Sequence, residues 1–147
     1  MTLVTVPEGY HSVTPYLFVQ GADSFIDFLK QAFGGKERMR IKSPNESIGH
    51  AEVEIGDSVV MIAEASDKWI SSPSHIHLYV DNADATYAAA LKAGATSQME
   101  PSNQAHGDCM GGAKDPFNNV WWIATRKEKI SPAETESRWK ARRTQSD

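Results

Sequence analysis

One order of elements occurs twice in this chain: strand, helix, then three strands. A local echo marks it. Val19-Gln20-Gly21-Ala22-Asp23 and Val80-Asp81-Asn82-Ala83-Asp84 both lead from an apolar run into a helical pattern, about sixty residues apart. In the first copy Val13–Val19 reads as a strand. Phe25, Phe28, Leu29, Ala32 and Phe33 then form one apolar helical stripe, which Gly34-Gly35 ends. Glu37–Lys42 is a second strand. His50–Ile55 alternates, with Ala51, Val53 and Ile55 on one face and His50, Glu52 and Glu54 on the other. The latter is expected to be a solvated sheet face or, as the alternative, to hold a pair of carboxylates able to act as acid and base. Gly56-Asp57 signals a hairpin, and Ser58–Ala63 runs back. The second copy places strands at His75–Val80, Thr96–Glu100, Met110–Lys114 and Val120–Thr125, a helix over Asp84–Ala93 closed by Gly94, and a polar loop over Ser102–Asp108. Neither unit can bury much apolar surface alone, so the two are expected to pack together.

The boundaries that follow are a module over 11–65, a linker over 66–73 rich in serine with Pro73, a second module over 74–126 and a tail over 127–147. Ser131-Pro132-Ala133-Glu134 is a capping box with proline at the first helical position, so the tail is expected to be helical. The chain has 147 residues, 40% of them hydrophobic, which suffices for a core. Its net charge of −4 does not suit a nucleic-acid or anionic-membrane surface, and no apolar run is long enough to span a bilayer. The positive charge gathers in the tail, where it would serve a protein-interaction module or, more simply, a solvated helix. The N-terminal residues show no secretory pattern. The single cysteine, Cys109, forms no internal disulfide, so a cytoplasmic location is expected.

The repeated βαβββ unit resembles that of the vicinal oxygen chelate superfamily of glyoxalases, bleomycin-resistance proteins and dioxygenases, and most closely its PhnB-like group. The stretches that carry the likeness are Val13-Thr14-Pro15-Tyr16-Leu17, Phe28 to Gly34, Gly49-His50-Ala51-Glu52, Ile55-Gly56-Asp57-Ser58, His77-Leu78-Tyr79-Val80-Asp81, Gly107-Asp108, Asp115-Pro116-Phe117 and Ser131-Pro132. The resemblance implies an α+β fold in which two βαβββ modules form a curled eight-stranded mixed sheet, followed by a C-terminal helix. It also implies a homodimer, and a divalent metal held by four strand positions. Those positions fall here on Thr14, Met61, His75 and Trp122, of which only His75 is a good ligand. Cys109 stands where the related group usually has arginine after Gly-Asp, so an anion clamp is not expected there. As a nucleophile Cys109 would need His106 or a cation beside it; as a small buried hydrophobe it needs nothing.

The implied concave face supplies the candidate binding residues. If Pro15, Leu17 and Val19 pack under the first helix, Thr14, Tyr16 and Phe18 face the cup, with Val59, Met61 and Ala63 opposite. If Ile76, Leu78 and Val80 pack under the second helix, His75, His77 and Tyr79 face inward, with Trp122 and Ala124 on the matching face. The expected function is binding of a small organic ligand in this aromatic cup without the standard metal. The alternative is a metal-dependent lyase, isomerase or dioxygenase. It would hold a divalent metal at His75 and His77, about 6–7 Å apart on one strand face, with His50 or Glu64 as the third ligand.

Overall fold

A computed structural model of the chain describes residues 3–146; the tail expectation reaches Asp147, which lies outside them with Met1 and Thr2. The elements in order are β1 (Tyr16–Val19), α1 (Ala22–Phe33), β2 (Lys36–Lys42), β3 (Ile48–Ile55), β4 (Ser58–Glu64), β5 (His75–Tyr79), α2 (Ala83–Lys92), β6 (Thr96–Asn103), β7 (Asp108–Lys114), β8 (Val120–Arg126) and α3 (Pro132–Ser146). The twofold βαβββ order is therefore present, with the expected terminal helix.

The eight strands do not join into one ladder. They hydrogen-bond as two four-stranded mixed sheets, β1-β4-β3-β2 and β5-β8-β7-β6, each with one parallel pair, β1 with β4 and β5 with β8. The implied eight-stranded sheet is in this respect two sheets, whose edges β1 and β5 share no ladder among the described residues.

Strand ends differ from expectation for local reasons. β1 begins at Tyr16 rather than Val13 because Pro15 has no N–H to give; its carbonyl still accepts from Met61 N at 2.9 Å, and Val13 stands exposed. β6 runs through Pro101 to Asn103, where a loop was expected. It is the sheet's edge strand, and register shifts flank Met99, so the missing N–H breaks no ladder.

The helices sit where the apolar stripes direct them. α1 buries Phe25, Ile26, Phe28, Leu29 and Ala32. It ends at Gly34 in the left-handed conformation (φ 67°), with Gly34 N bonded to Lys30 O and Gly35 N to Leu29 O. α2 is capped by Asn82, whose side chain accepts from Ala85 N. Each helix covers one sheet, and the two helices touch. Phe33 of α1 meets Trp121 of β8 at 4.6 Å between ring centroids, and Phe25 meets Phe117 edge-on at 5.2 Å. One core thus spans both modules, and each fully buried side chain such as Phe25 contributes about 1.5–3 kcal/mol of transfer free energy. Leu17 and Val19 point into this core, while Tyr16, Phe18, His75, His77 and Tyr79 project from the opposite faces. Those opposite faces are where a site can form.

Candidate functional site

The first sheet presents a stack of rings. Tyr16 and Phe18 alternate with the buried Leu17 and Val19, so both leave the same face of β1. Their rings lie 4.7 Å apart and 14° from parallel. Trp69 continues the series, 6.0 Å from Phe18 and 25° from parallel. It comes from the segment read as a linker, and is 56% exposed. These three rings line a cleft of about 760 Å³ with Ser43, Asn45, Ser47 and the start of β3 on its far side. The volume is that of a small-molecule site.

Behind the stack lies a short polar relay. His50 Nε2 meets Glu52 Oε2 at 3.1 Å, and Tyr16 Oη approaches His50 Nδ1 at 3.4 Å. With Nε2 carrying the proton toward Glu52, Nδ1 is left to accept from the Tyr16 hydroxyl. His50 and Glu52 are half-buried here, not the freely solvated face expected from alternation alone. Beside Glu52 the Tyr10 hydroxyl is buried without a hydrogen bond of good geometry. Burial first, and the neighbouring carboxylate second, push its pKa up to about 12.

The second sheet holds two further groups. Trp122 Nε1 donates to His75 Nδ1 at 3.0 Å, with the rings 11° from parallel. Gly112, directly opposite Trp122 in the ladder, makes room for the indole: a Cβ there would lie 2.6 Å from its ring. Farther along, His77 packs on Tyr79 at 4.7 Å between centroids. Tyr79 Oη donates to Asp108 Oδ2 at 2.7 Å, and His106 Nε2 meets the same oxygen at 3.1 Å. Burial of its ring is the main reason His77 titrates below an ordinary histidine; the Asp108 charge opposes the shift. The Tyr79 hydroxyl is held above the ordinary range, chiefly by its bond to Asp108.

The eight expected binding residues are therefore not gathered in one cup. Tyr16 and Phe18 share the first cleft. Thr14 and Met61 border a different hollow with Tyr10, Arg38 and Glu52. Thr14 and His77 both border a small hollow that residues of the two modules line. His75 and Trp122 engage each other, and Tyr79 opens toward α3. Cys109 is buried, as a small hydrophobe would be.

Nor do the residues at the superfamily's metal positions fit a divalent ion. Thr14 offers a hydroxyl, Met61 a thioether and Trp122 an N–H that only donates, and that N–H occupies the His75 nitrogen. His50, His75 and His77 do not come together: among the described residues no three His, Cys, Asp or Glu side chains are grouped to hold a metal. Glu64 serves elsewhere. Its two oxygens accept from Gly21 N and Ala22 N, each at 2.9 Å, and cap the start of α1.

The fold has counterparts among known proteins. The family model of the Glyoxalase/Bleomycin resistance protein/Dioxygenase superfamily matches residues 9–123. The chain belongs to that superfamily. Uncharacterised proteins of Mycobacterium bovis and Mycobacterium tuberculosis are each 29% identical to it over 137 residues, covering 86% of this chain and 90% and 81% of theirs. Among solved structures, TioX from Micromonospora sp. ML1 superposes with a TM-score of 0.64 at 16% identity, covering 78% of this chain and 99% of its own. A glyoxalase/bleomycin resistance protein/dioxygenase family enzyme from Burkholderia phytofirmans PsJN superposes at 0.63 with 21% identity, covering 76% and 94%. At these identities the likeness is one of fold. No helix among the described residues is long and apolar enough to cross a membrane.

Several residues at these faces were not legible as site residues in the sequence. Trp69 sits in the stretch read as a linker, and its one signal is a tryptophan beside Ile70 in otherwise polar surroundings. His106 entered only as a neighbour of Cys109, and Asp108 only as part of a Gly-Asp match. Their pairing depends on where β7 begins. Arg126 and Trp139 gave no signal beyond the charge of the tail.

Proposed function

We propose that this superfamily member binds a small, planar, partly apolar organic molecule in the first-module cleft, and does so without a metal at the superfamily's ligand positions. The observation that carries this reading is the Tyr16–Phe18–Trp69 stack, whose outer rings are 43% and 56% exposed instead of filling the cup. Three near-parallel rings, the outer two exposed and Phe18 half-buried between them, offer stacking area at low entropic cost beside a cleft of about 760 Å³. Ser43, Asn45 and Ser47 supply hydrogen-bonding groups at the rim. The Tyr16 hydroxyl, backed by His50 and Glu52, is the polar group best placed to orient a ligand. The Asp115-Pro116-Phe117 and Gly49-His50-Ala51-Glu52 stretches support placing the chain in the PhnB-like group.

The test is a fluorescence titration with planar probes such as quinoxaline and 1-naphthol, and with glycopeptide antibiotics. It compares the protein with its Trp69→Phe and Phe18→Ala variants. Binding is expected to quench tryptophan emission in the parent, and Phe18→Ala is expected to weaken it about tenfold, the worth of one stacked pair. Equal affinity in parent and Phe18→Ala would defeat the reading.

A further inference from the structure

A second cleft, of about 860 Å³, lies between the second sheet and α3. Its floor is Tyr79, His106, Asp108 and Arg126, and its far wall is Ile130, Pro132 and Trp139 together with Thr135 and Glu136 of α3. Nothing in the first-module reading uses these residues. The charges in the cleft are unequally satisfied. Asp108, 2% exposed, takes both the Tyr79 hydroxyl and the His106 ring. Glu136 is paired with Lys140 at 2.8 Å. Arg126 has no ion pair or hydrogen bond from its side chain among the described residues. A second cation, Arg143, lies over the Trp139 ring at 4.7 Å. The negative groups are thus engaged within the protein, while Arg126 faces the cleft without a carboxylate partner among the described residues. Trp139, 53% exposed, together with Ile130 and Pro132 supplies a flat apolar wall.

From this arrangement we infer that the cleft beneath α3 is a separate binding site for a small organic acid, an aromatic body carrying a carboxylate. The carboxylate sits on the Arg126 guanidinium, where a planar fork matches it with two parallel hydrogen bonds. The aromatic body lies against Trp139 and Ile130. By holding the Tyr79 hydroxyl and His106 Nε2, Asp108 fixes the floor of the cleft.

The experiment is calorimetric titration of the full chain with 2-naphthoate and with its neutral isostere 2-naphthamide. The Arg126→Gln, Arg126→Lys, Trp139→Ala and Trp69→Ala variants are titrated alongside, with a thermal melt of each to establish folding. The parent is expected to bind naphthoate below about 1 mM, and more tightly than naphthamide. Arg126→Gln should weaken naphthoate about tenfold or more and leave naphthamide within about twofold, and Arg126→Lys should recover part of the loss. Trp139→Ala should weaken both probes at this cleft. Trp69→Ala should leave intact the Arg126-dependent preference for naphthoate over naphthamide, even where it removes planar-probe binding in the first-module cleft. The inference is overturned if naphthoate does not bind the parent, or binds Arg126→Gln as tightly. Loss of the naphthoate preference in Trp69→Ala with its retention in Trp139→Ala overturns it too, since binding then belongs to the first-module cleft.

Discussion

The indole N–H of Trp122 donates to Nδ1 of His75 at 3.0 Å, the two residues standing 47 apart in sequence and on adjacent parallel strands. Two of the superfamily's four metal positions are thereby joined to each other. A ligating imidazole needs a free lone pair, and here one nitrogen of the only histidine in the set has already accepted a proton donor.

Divalent metal is accordingly expected to leave stability unchanged. Manganese, nickel or zinc at about 1 mM should move the melting temperature of the protein by no more than about 1 °C, whereas a site filled to 100 times its Kd would add about 2.7 kcal/mol. A stabilisation by any of these ions that His75→Ala abolishes would show that His75 leaves Trp122 to bind metal.

Gly112 allows the Trp122 ring to lie across the sheet, so Gly112→Ala must push it aside. The variant is expected to cost about 1–3 kcal/mol in urea unfolding. It should also break the bond from the indole to His75 Nδ1, so the Trp122 indole N–H resonance would shift toward that of a free indole. An unchanged indole N–H resonance would mean that the ring moves without breaking its bond.

Asp115 is 3% exposed and accepts from Phe117 N at 2.8 Å, Asn119 N at 3.0 Å and Trp121 Nε1 at 2.8 Å. Asparagine has one acceptor oxygen where the site presents three donors, so Asp115→Asn is expected to destabilise the fold by about 2–4 kcal/mol. Burial holds the Asp115 carboxyl above the ordinary range against the pull of its Trp121 bond. A carboxyl whose folded pKa is raised binds its proton more tightly when folded. Its contribution is therefore fully present below the ordinary aspartate range and is lost as pH rises through the raised value. Denaturant midpoints of parent and variant between pH 3 and 7 measure both effects: a variant as stable as the parent throughout would contradict the first, and a difference between them that does not narrow as pH rises would contradict the second.

Glu37 behaves in the opposite sense. Arg40 grips its carboxylate with Nε at 3.0 Å and Nη2 at 2.9 Å, and Lys30 of α1 adds a third bond at 3.0 Å. The Arg40 bonds, then the Lys30 bond, hold Glu37 below the usual carboxylate range. A depressed folded pKa gives stability that is present above the ordinary glutamate value and lost as pH falls through the folded one. The groups are partly solvated, so Glu37→Gln is expected to cost only about 0.5–1 kcal/mol at pH 7, a difference that should close below about pH 4. A constant difference across that range would place the cost in packing rather than charge.

The parts of this protein legible in its sequence are those whose signal lies within one element. Alternation in Tyr16–Val19 and His75–Tyr79 separated core-facing from cup-facing residues, because each side chain's face is set by its neighbours in the strand. The stripe of α1 and the stop at Gly34 are likewise local, being a matter of helical period and of a left-handed backbone that glycine accepts. The twofold order then implied the architecture, though not that the strands would divide into two ladders. That depended on edges meeting or not meeting in space.

What decided the candidate sites was contact between distant residues. Glu64 reads as a spare carboxylate until α1, about forty residues earlier, places two unpaired N–H groups on it. His106 is a loop histidine until β5 and β7 bring Tyr79 and Asp108 beside it, 29 residues apart in the chain. Trp69 is linker until the chain turns it onto Phe18. Periodicity along one element fixes which way a side chain points. What it meets there depends on how the elements pack, and no local pattern encodes that meeting.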